Sequence, residues 1–253
     1  MAGHSHSANI AVRKGAQDSK RAKVFSKLAK EITVAAKLGG PDPDANPRLR
    51  LALRKAKAQS LPRDTVERAV KKGAGDGELD NYEELTMEGY GVGGVAVYCE
   101  VLTDNRNRAA SEVRYAFTRG GGNLGTIGCV GYMFARKGIV LCRGDEDAVM
   151  EAALEAGAED VSASGENDDG ETMWEVVCDP TEAEAVTSAL QQAGATVDSD
   201  SVLFVPDTRV AVAGDEAAKL LKMLDLLDDC DDIQAVHHNA DIDEAAIEAF
   251  RNS

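Results

Sequence analysis

Lys and Arg recur at short intervals near the start of the chain: Arg13, Lys14, Lys20, Arg21 and Lys23 form one group, and Arg54, Lys55 and Lys57 another. Side chains of this type at this density suit the binding of phosphates. Each cation that meets a phosphate releases a condensed counterion, and helix N-termini can add N–H donors to the same anion. Crowded like charges also repel one another, a cost that an external anion offsets. Gln17 and Gln59 have the functional groups to read base edges. Phe25 is the only aromatic residue of the first 72 and sits on an apolar face. Contact through backbone and duplex shape is therefore expected rather than base stacking. A second positive spot, Arg106 and Arg108, lies in Thr103-Asp104-Asn105-Arg106-Asn107-Arg108, where a strand is expected to end and a helix to begin. Asp104, Asn105 or Asn107 can cap that helix while the two arginines face outward.

Other chemistries fit less well. No serine, cysteine or carboxylate stands in a catalytic constellation, so the chain reads as non-enzymatic. Gly89-Tyr90-Gly91-Val92-Gly93-Gly94 precedes a strand instead of opening a helix, and Gly120-Gly121-Gly122-Asn123 lacks the Gly-Lys-Ser/Thr of a phosphate loop. Both read as turns, the second as a helix C-cap. His237 and His238 would point to opposite faces of a strand, which is poor geometry for a shared metal. Asp225, Asp228, Asp229, Asp231 and Asp232 read as a solvated acidic helix end in preference to a Mg²⁺ site. No cofactor and no metal are expected. The five cysteines contain no C-x-x-C pair, which fits reduced thiols in a reducing compartment.

Charge divides the chain. Residues 1–72 hold 17 Lys and Arg against 6 Asp and Glu, whereas residues 73–253 hold 11 against 38. A basic module is thus joined to a strongly acidic body, a pattern that points to a polyanionic partner. No apolar run approaches the ~20 residues needed to span a bilayer, and no secretory signal is evident, so a cytoplasmic address is expected.

The elements that must position these cations follow from periodicity. Residues 19–38 place Val24, Phe25, Leu28, Ile32, Ala35 and Ala36 at helical spacing. Asn46 reads as an N-cap before Pro47, opening a helix to about Ser60 with Leu49, Leu53 and Ala56 on its apolar face. Asp64 and Glu67 have capping-box spacing and open a third helix ending at Lys72, after which Gly73-Ala74-Gly75-Asp76-Gly77 reads as a linker. Beyond it, residues 95–102, 108–119, 129–135, 209–212, 215–227 and 233–238 spell βαββαβ. The interval between the third and fourth of these has the same order by itself. The expected fold is α+β: a basic helical domain (1–78), a split ferredoxin-like domain (79–135 plus 205–253) and a second ferredoxin-like domain inserted into it (136–204).

Longer motifs carry a family resemblance. Met1-Ala2-Gly3-His4-Ser5, Arg13-Lys14-Gly15-Ala16-Gln17-Asp18, Asn46-Pro47-Arg48-Leu49-Arg50, Glu88-Gly89-Tyr90-Gly91, residues 102–108, Gly121-Gly122-Asn123-Leu124-Gly125 and His238-Asn239-Ala240-Asp241 all resemble the YebC/PmpR family. So does Lys30-Glu31-Ile32-Thr33-Val34-Ala35-Ala36-Lys37. The resemblance implies a helical domain followed by two α/β domains. It also implies one of two functions, DNA-binding transcriptional regulation or, as in ribosome-associated members and a mitochondrial translational activator, action in translation. The chain departs from the family at its tip: His6-Ser7 stands where members usually have Lys-Trp, and Ala11-Val12 replaces a Lys-His pair. Contact made by that tip should be weaker or altered.

The expected partner is therefore nucleic acid, either DNA or the ribosomal RNA of the ribosome, and no membrane. The nucleic-acid-binding residues expected are Arg13, Lys14, Lys20, Arg21, Lys23, Arg54, Lys55, Lys57, Arg106 and Arg108. A protein-interaction scaffold, in which the basic module docks on an acidic protein, is the reading that predicts no nucleic-acid binding at physiological salt. Oligomeric state and target sequence are not encoded in these patterns.

Overall fold

The structure, a computed structural model, describes residues 17–75, 82–167 and 170–251, with backbone alone at 17–20, 244 and 251. In chain order the helical part holds α1 (Gln17–Gly39), α2 (Pro47–Ala58) and α3 (Arg63–Ala74). There follow β1 (Glu83–Tyr90), β2 (Ala96–Thr103), α4 (Arg106–Arg119), β3 (Asn123–Leu124), β4 (Phe134–Arg143), α5 (Glu146–Glu155), β5 (Ala158–Glu166), β6 (Thr172–Cys178), α6 (Ala183–Gln192) and β7 (Thr196–Pro206). The chain closes with β8 (Val210–Val212), α7 (Gly214–Asp228), β9 (Ile233–His238), β10 (Ala240–Ile242) and α8 (Glu244–Arg251). The fold is α+β, a helical domain followed by two α/β domains, the second interrupting the first. Among the described residues these form two compact units, one within 17–131 and 213–238, the other within 132–212 and 239–251.

In the first unit the three helices close on Leu28, Ile32, Ala35, Ala36, Leu49, Ala52, Ala56, Leu61 and Ala69. Asn46 is buried and organises two helix ends at once. Its carboxamide oxygen accepts from Leu49 N at 3.0 Å, capping α2, while its Nδ2 donates to Ala35 O and Gly40 O, both at 2.8 Å, at the end of α1. The expected N-cap is present, and it does more than cap. The third helix differs from expectation. Its start carries no side-chain cap, because Asp64 and Glu67 pair along the helix with Arg68 and Arg63 instead.

Nor does a linker begin at Gly73, since α3 continues through Ala74. Gly73 is where α3 touches α1: a Cβ there would stand 2.2 Å from Thr33 O and 2.8 Å from Ala36 Cβ. On an open helix surface Gly→Ala would stabilise by about 1 kcal/mol through propensity. Here overpacking reverses the sign, and we expect Gly73→Ala to destabilise the helical domain by about 1–2 kcal/mol in urea melts. A neutral or stabilising result would show that the helices part freely.

The first sheet runs β3-β1-β2-β9 with antiparallel neighbours. α4 and α7 supply its helical layer, and Val97, Cys99, Val113, Phe117, Leu220, Leu227 and Ile233 are buried in this unit. The expected split βαββαβ unit is corrected in two places. β1, unforeseen because Glu83, Glu84 and Glu88 disguise its alternation, pairs with β2 in the position a ferredoxin-like order gives to residues 209–212, and β3 stands beyond it where 129–135 would lie. Residues from Phe134 onward belong to β4 of the other sheet, and Val210–Val212 pairs in parallel with Ala240–Ile242 instead of joining the first sheet.

The second unit's main sheet has the order β5-β6-β4-β7, all antiparallel. Numbered within the insert this is 2-3-1-4, the ferredoxin-like arrangement. Val140, Cys142, Val149, Trp174, Val176, Cys178, Val186 and Leu190 fill the space between this sheet and α5 and α6.

Candidate nucleic-acid interface

Helix geometry sorts the cations of α2 onto two flanks. With Leu49, Ala52 and Ala56 buried, a rotation of 100° per residue puts Arg48 and Lys55 on one side and Arg50, Arg54 and Lys57 on the other. The first flank is turned to internal carboxylates: Arg48 pairs with Glu84, and Lys55 Nζ lies 2.9 Å from Glu31 Oε1. On the second flank Arg54 and Lys57 are exposed and Arg50 half-buried. Arg50 belongs with Arg54 and Lys57 by spacing alone, a signal available in the sequence and not used there.

The cations of α1 are divided in a different way. Arg21 is exposed, its guanidinium carbon 5.3 Å from the Phe25 ring centroid. Lys23, Lys27 and Lys30, spaced along one side of the helix, reach the acidic turn after α7. Lys23 Nζ lies 3.0 Å from Asp229 Oδ1, Lys27 Nζ donates to Asp228 O at 2.7 Å, and Lys30 Nζ donates to Asp231 O at 3.0 Å and Asp232 Oδ1 at 3.2 Å. The aspartate run expected to be a solvated helix end is thus the receptor for the inner face of α1. Its deepest member, Asp232, has a side chain only 2% exposed.

Arg108 completes this joint. Its Nε donates to Asp232 Oδ2 at 3.0 Å, its Nη2 reaches both Asp232 oxygens at 3.0 and 2.8 Å, and Nη2 also reaches Asp104 Oδ1 at 2.6 Å. The bonds to Asp232 and then Asp104 push the guanidinium pKa up, and the Arg108 bond in turn holds the Asp104 carboxyl below its usual value. Asn105 is the residue that caps α4, accepting from Arg108 N at 3.1 Å.

Three of the expected phosphate ligands thus have ion-pair partners within the chain. Lys23 and Arg108 are engaged by carboxylates of the acidic body, and Lys55 by Glu31 of the helical domain itself, partners that linear distance hides. Arg21, Arg54, Lys57 and Arg106 stand on the surface as expected. Arg13 and Lys14 lie outside the described residues, as do the side chains of Lys20 and Gln17; Gln59 is exposed just past α2. Arg106 lies in the first turn of α4, apart in sequence from the helical-domain cations. His237 is buried, His238 half-buried, and no group of His, Cys, Asp and Glu able to hold a metal occurs among the described residues. No described helix is long and apolar enough to cross a membrane.

Comparison with known proteins places this geometry among relatives. Residues 5–76 match a family model described as the TACO1/YebC protein N-terminal domain, and residues 82–240 match the TACO1/YebC second and third domain. A protein of Thiobacillus denitrificans named "Probable transcriptional regulatory protein" is 54% identical over 242 residues, covering 95% of this chain and 98% of its own. "Probable transcriptional regulatory protein YebC" of Salmonella typhimurium is 51% identical over 252 residues, covering 97% and 99%. The crystal structure of a conserved hypothetical protein from Aquifex aeolicus superposes with a TM-score of 0.77 at 43% identity, covering 90% of this chain and 93% of that one.

Proposed function

The chain belongs to the TACO1/YebC family, and from that premise we propose that it is a non-enzymatic regulator of gene expression that binds nucleic acid through its helical domain. Duplex DNA is the target, transcription the process controlled, and the cytoplasm its place of action. The observation that carries this reading is the sorting of cations: Lys23, Lys30 and Arg48 pair with carboxylates of the acidic body and Lys55 with Glu31, while Arg21, Arg54 and Lys57 are exposed and Arg50 half-buried on the opposite flanks of their helices. Arg13, Lys14 and Lys20 extend the same positive region in sequence, and Arg106 adds a separate contact. The acidic body restricts a phosphate backbone to one orientation by repelling it elsewhere.

A second reading, binding to ribosomal RNA as a translation factor, is favoured by one feature. α2 carries five cations and neither Asn nor Gln, so its outer flank can sense phosphate spacing and has no side chain suited to bidentate adenine recognition. Shape reading of this kind suits structured RNA. Titration against mixed-sequence duplex DNA and intact ribosomes at several salt concentrations separates the two. Sequence preference on DNA without ribosome binding supports transcription; tight ribosome binding with weak, unselective DNA binding supports translation; no binding to either refutes both.

On whichever polyanion binds, the Arg50→Ala/Arg54→Ala/Lys57→Ala variant should shift the log K against log salt slope toward zero by about 2–3, each phosphate contact contributing about 0.7–0.9. An unchanged slope removes α2 from the interface.

A further inference from the structure

Two concavities flank Lys30 and share Ser26 and Tyr82 with it. The larger, about 760 Å³, lies beside α1, α4 and the turn after α7. Its lining sets five carboxylates, Glu112 and Asp232 among them, against Lys30 and Arg108, so it repels anions. The smaller, about 360 Å³, opens between α1 and α3. Among the described residues Lys30, Arg68 and Lys72 are its charged groups, the hydroxyls of Ser26, Thr65 and Tyr82 line it as well, and no carboxylate does.

We propose that this smaller groove receives one backbone phosphate of the bound nucleic acid, gripped by Arg68 and Lys72. The inference rests on the nucleic-acid reading above and adds α3 to the surface involved. Arg68 and Lys72 are four residues apart, hence neighbours on one side of α3. Both are exposed. Arg68 Nη2 is 3.4 Å from Asp64 Oδ2 and 3.2 Å from Thr65 Oγ1, in an exposed pair of the kind that holds weakly and yields readily to a phosphate. Its planar fork then offers two parallel donors to phosphate oxygens, with the Lys72 ammonium as a point charge beside them.

Lys30 plays a different part. Bonded to Asp232 and to the main-chain oxygen of Asp231, and with its Nζ 5.7 Å from the Tyr82 ring centroid, it supplies a positive wall. The floor is closed by Thr33, whose hydroxyl lies 2.8 Å from Ala29 O and 3.2 Å from Ala69 O and so ties α1 to α3. The groove's two grasping groups are consequently on one rigid helix, held against another.

The test uses the full chain and mixed-sequence duplex DNA from 50 mM to 1 M salt. Arg68→Ala/Lys72→Ala should bind about tenfold more weakly than the unaltered protein near 0.1 M salt, converge with it near 1 M, and show a slope shallower by about 1, the signature of one lost phosphate. Lys71→Ala, on the same helix and exposed outside the groove, should leave slope and affinity unchanged. Arg68→Lys/Lys72→Arg should retain the slope. Far-UV circular dichroism and urea melts verify that the variants fold. Full-strength binding by the double alanine variant, or an equal loss from Lys71→Ala, overturns the groove and leaves the nucleic-acid function standing. Absence of binding by the unaltered protein to duplex DNA and to intact ribosomes, even at 50 mM salt, overturns both.

Discussion

Asp232→Ala is expected to remove about 3–5 kcal/mol of stability, the range seen when one member of a buried ion pair is deleted. The carboxylate is nearly inaccessible and accepts from Arg108 through a two-pronged guanidinium contact and from Lys30 on another helix. Removing it leaves two cations facing each other with no anion between them, together with a small void. Asp232→Asn keeps the shape and one acceptor but removes the charge, so its cost should be intermediate. Urea unfolding measures both, and a double-mutant cycle with Arg108→Ala isolates the coupling, expected to exceed ~1 kcal/mol for groups in direct contact. A loss below 1 kcal/mol for Asp232→Ala would mean that the pair contributes no more than an exposed one. Hydrogen exchange offers an independent readout: α1 amides should lose protection, since Lys23, Lys27 and Lys30 all reach the same turn.

This joint changes what the charge division of the chain means. Acidic residues of the body repel a phosphate backbone, but residues 228–232 also draw in one side of α1. A helix with cations around it thereby acquires an inner side, paired with that turn, and an outer side. The same logic operates on α2, where Glu31 and Glu84 take Lys55 and Arg48. Charge placement within the first unit therefore does two tasks, fastening the helical domain and selecting which cations face solvent.

Legibility in the sequence followed the range of the interaction. Asn46-Pro47 announces a helix start because a cap and its recipient N–H are three residues apart. The insert's βαββαβ order is written in periodicity, and its topology follows from the ferredoxin-like rule. β1 escaped notice because Glu88 is buried in a strand whose other glutamates are exposed, and no local pattern separates the two cases. Gly73 looked like a linker because glycine breaks helices in isolation; only the neighbouring helix gives the missing Cβ a purpose. Lys23, Lys55 and Arg108 looked available because their partners are 24 to 206 residues away. The basic region is legible in the sequence, and which of its cations pair within the chain is set by contacts between distant segments.

Glu88 provides the second large effect. This buried carboxylate accepts three backbone N–H groups, from Gly128 at 2.9 Å, Val130 at 2.8 Å and Gly131 at 2.7 Å, and so fixes the loop that exposes Ile127. Burial acts to raise its pKa, but the three N–H bonds together outweigh burial and bring it below the ordinary 4.5. Glu88→Gln keeps the size yet turns an NH₂ group toward at least one N–H donor, and should cost about 2–3 kcal/mol at pH 7. Because the folded pKa lies below the unfolded one, the stabilisation from ionised Glu88 is complete above the unfolded value and fades as pH falls through the folded value. The gap between the two proteins in urea melts should therefore be constant from pH 7 to about 5 and narrow below about 4.5, where the carboxylate of the unfolded chain binds its proton before the native one does. A gap that stays constant down to pH 3 would show that charge is irrelevant and shape alone matters. In hydrogen exchange at pH 7, the amides of Gly128, Val130 and Gly131 should lose protection in the variant, while those of the second unit's sheet remain as before.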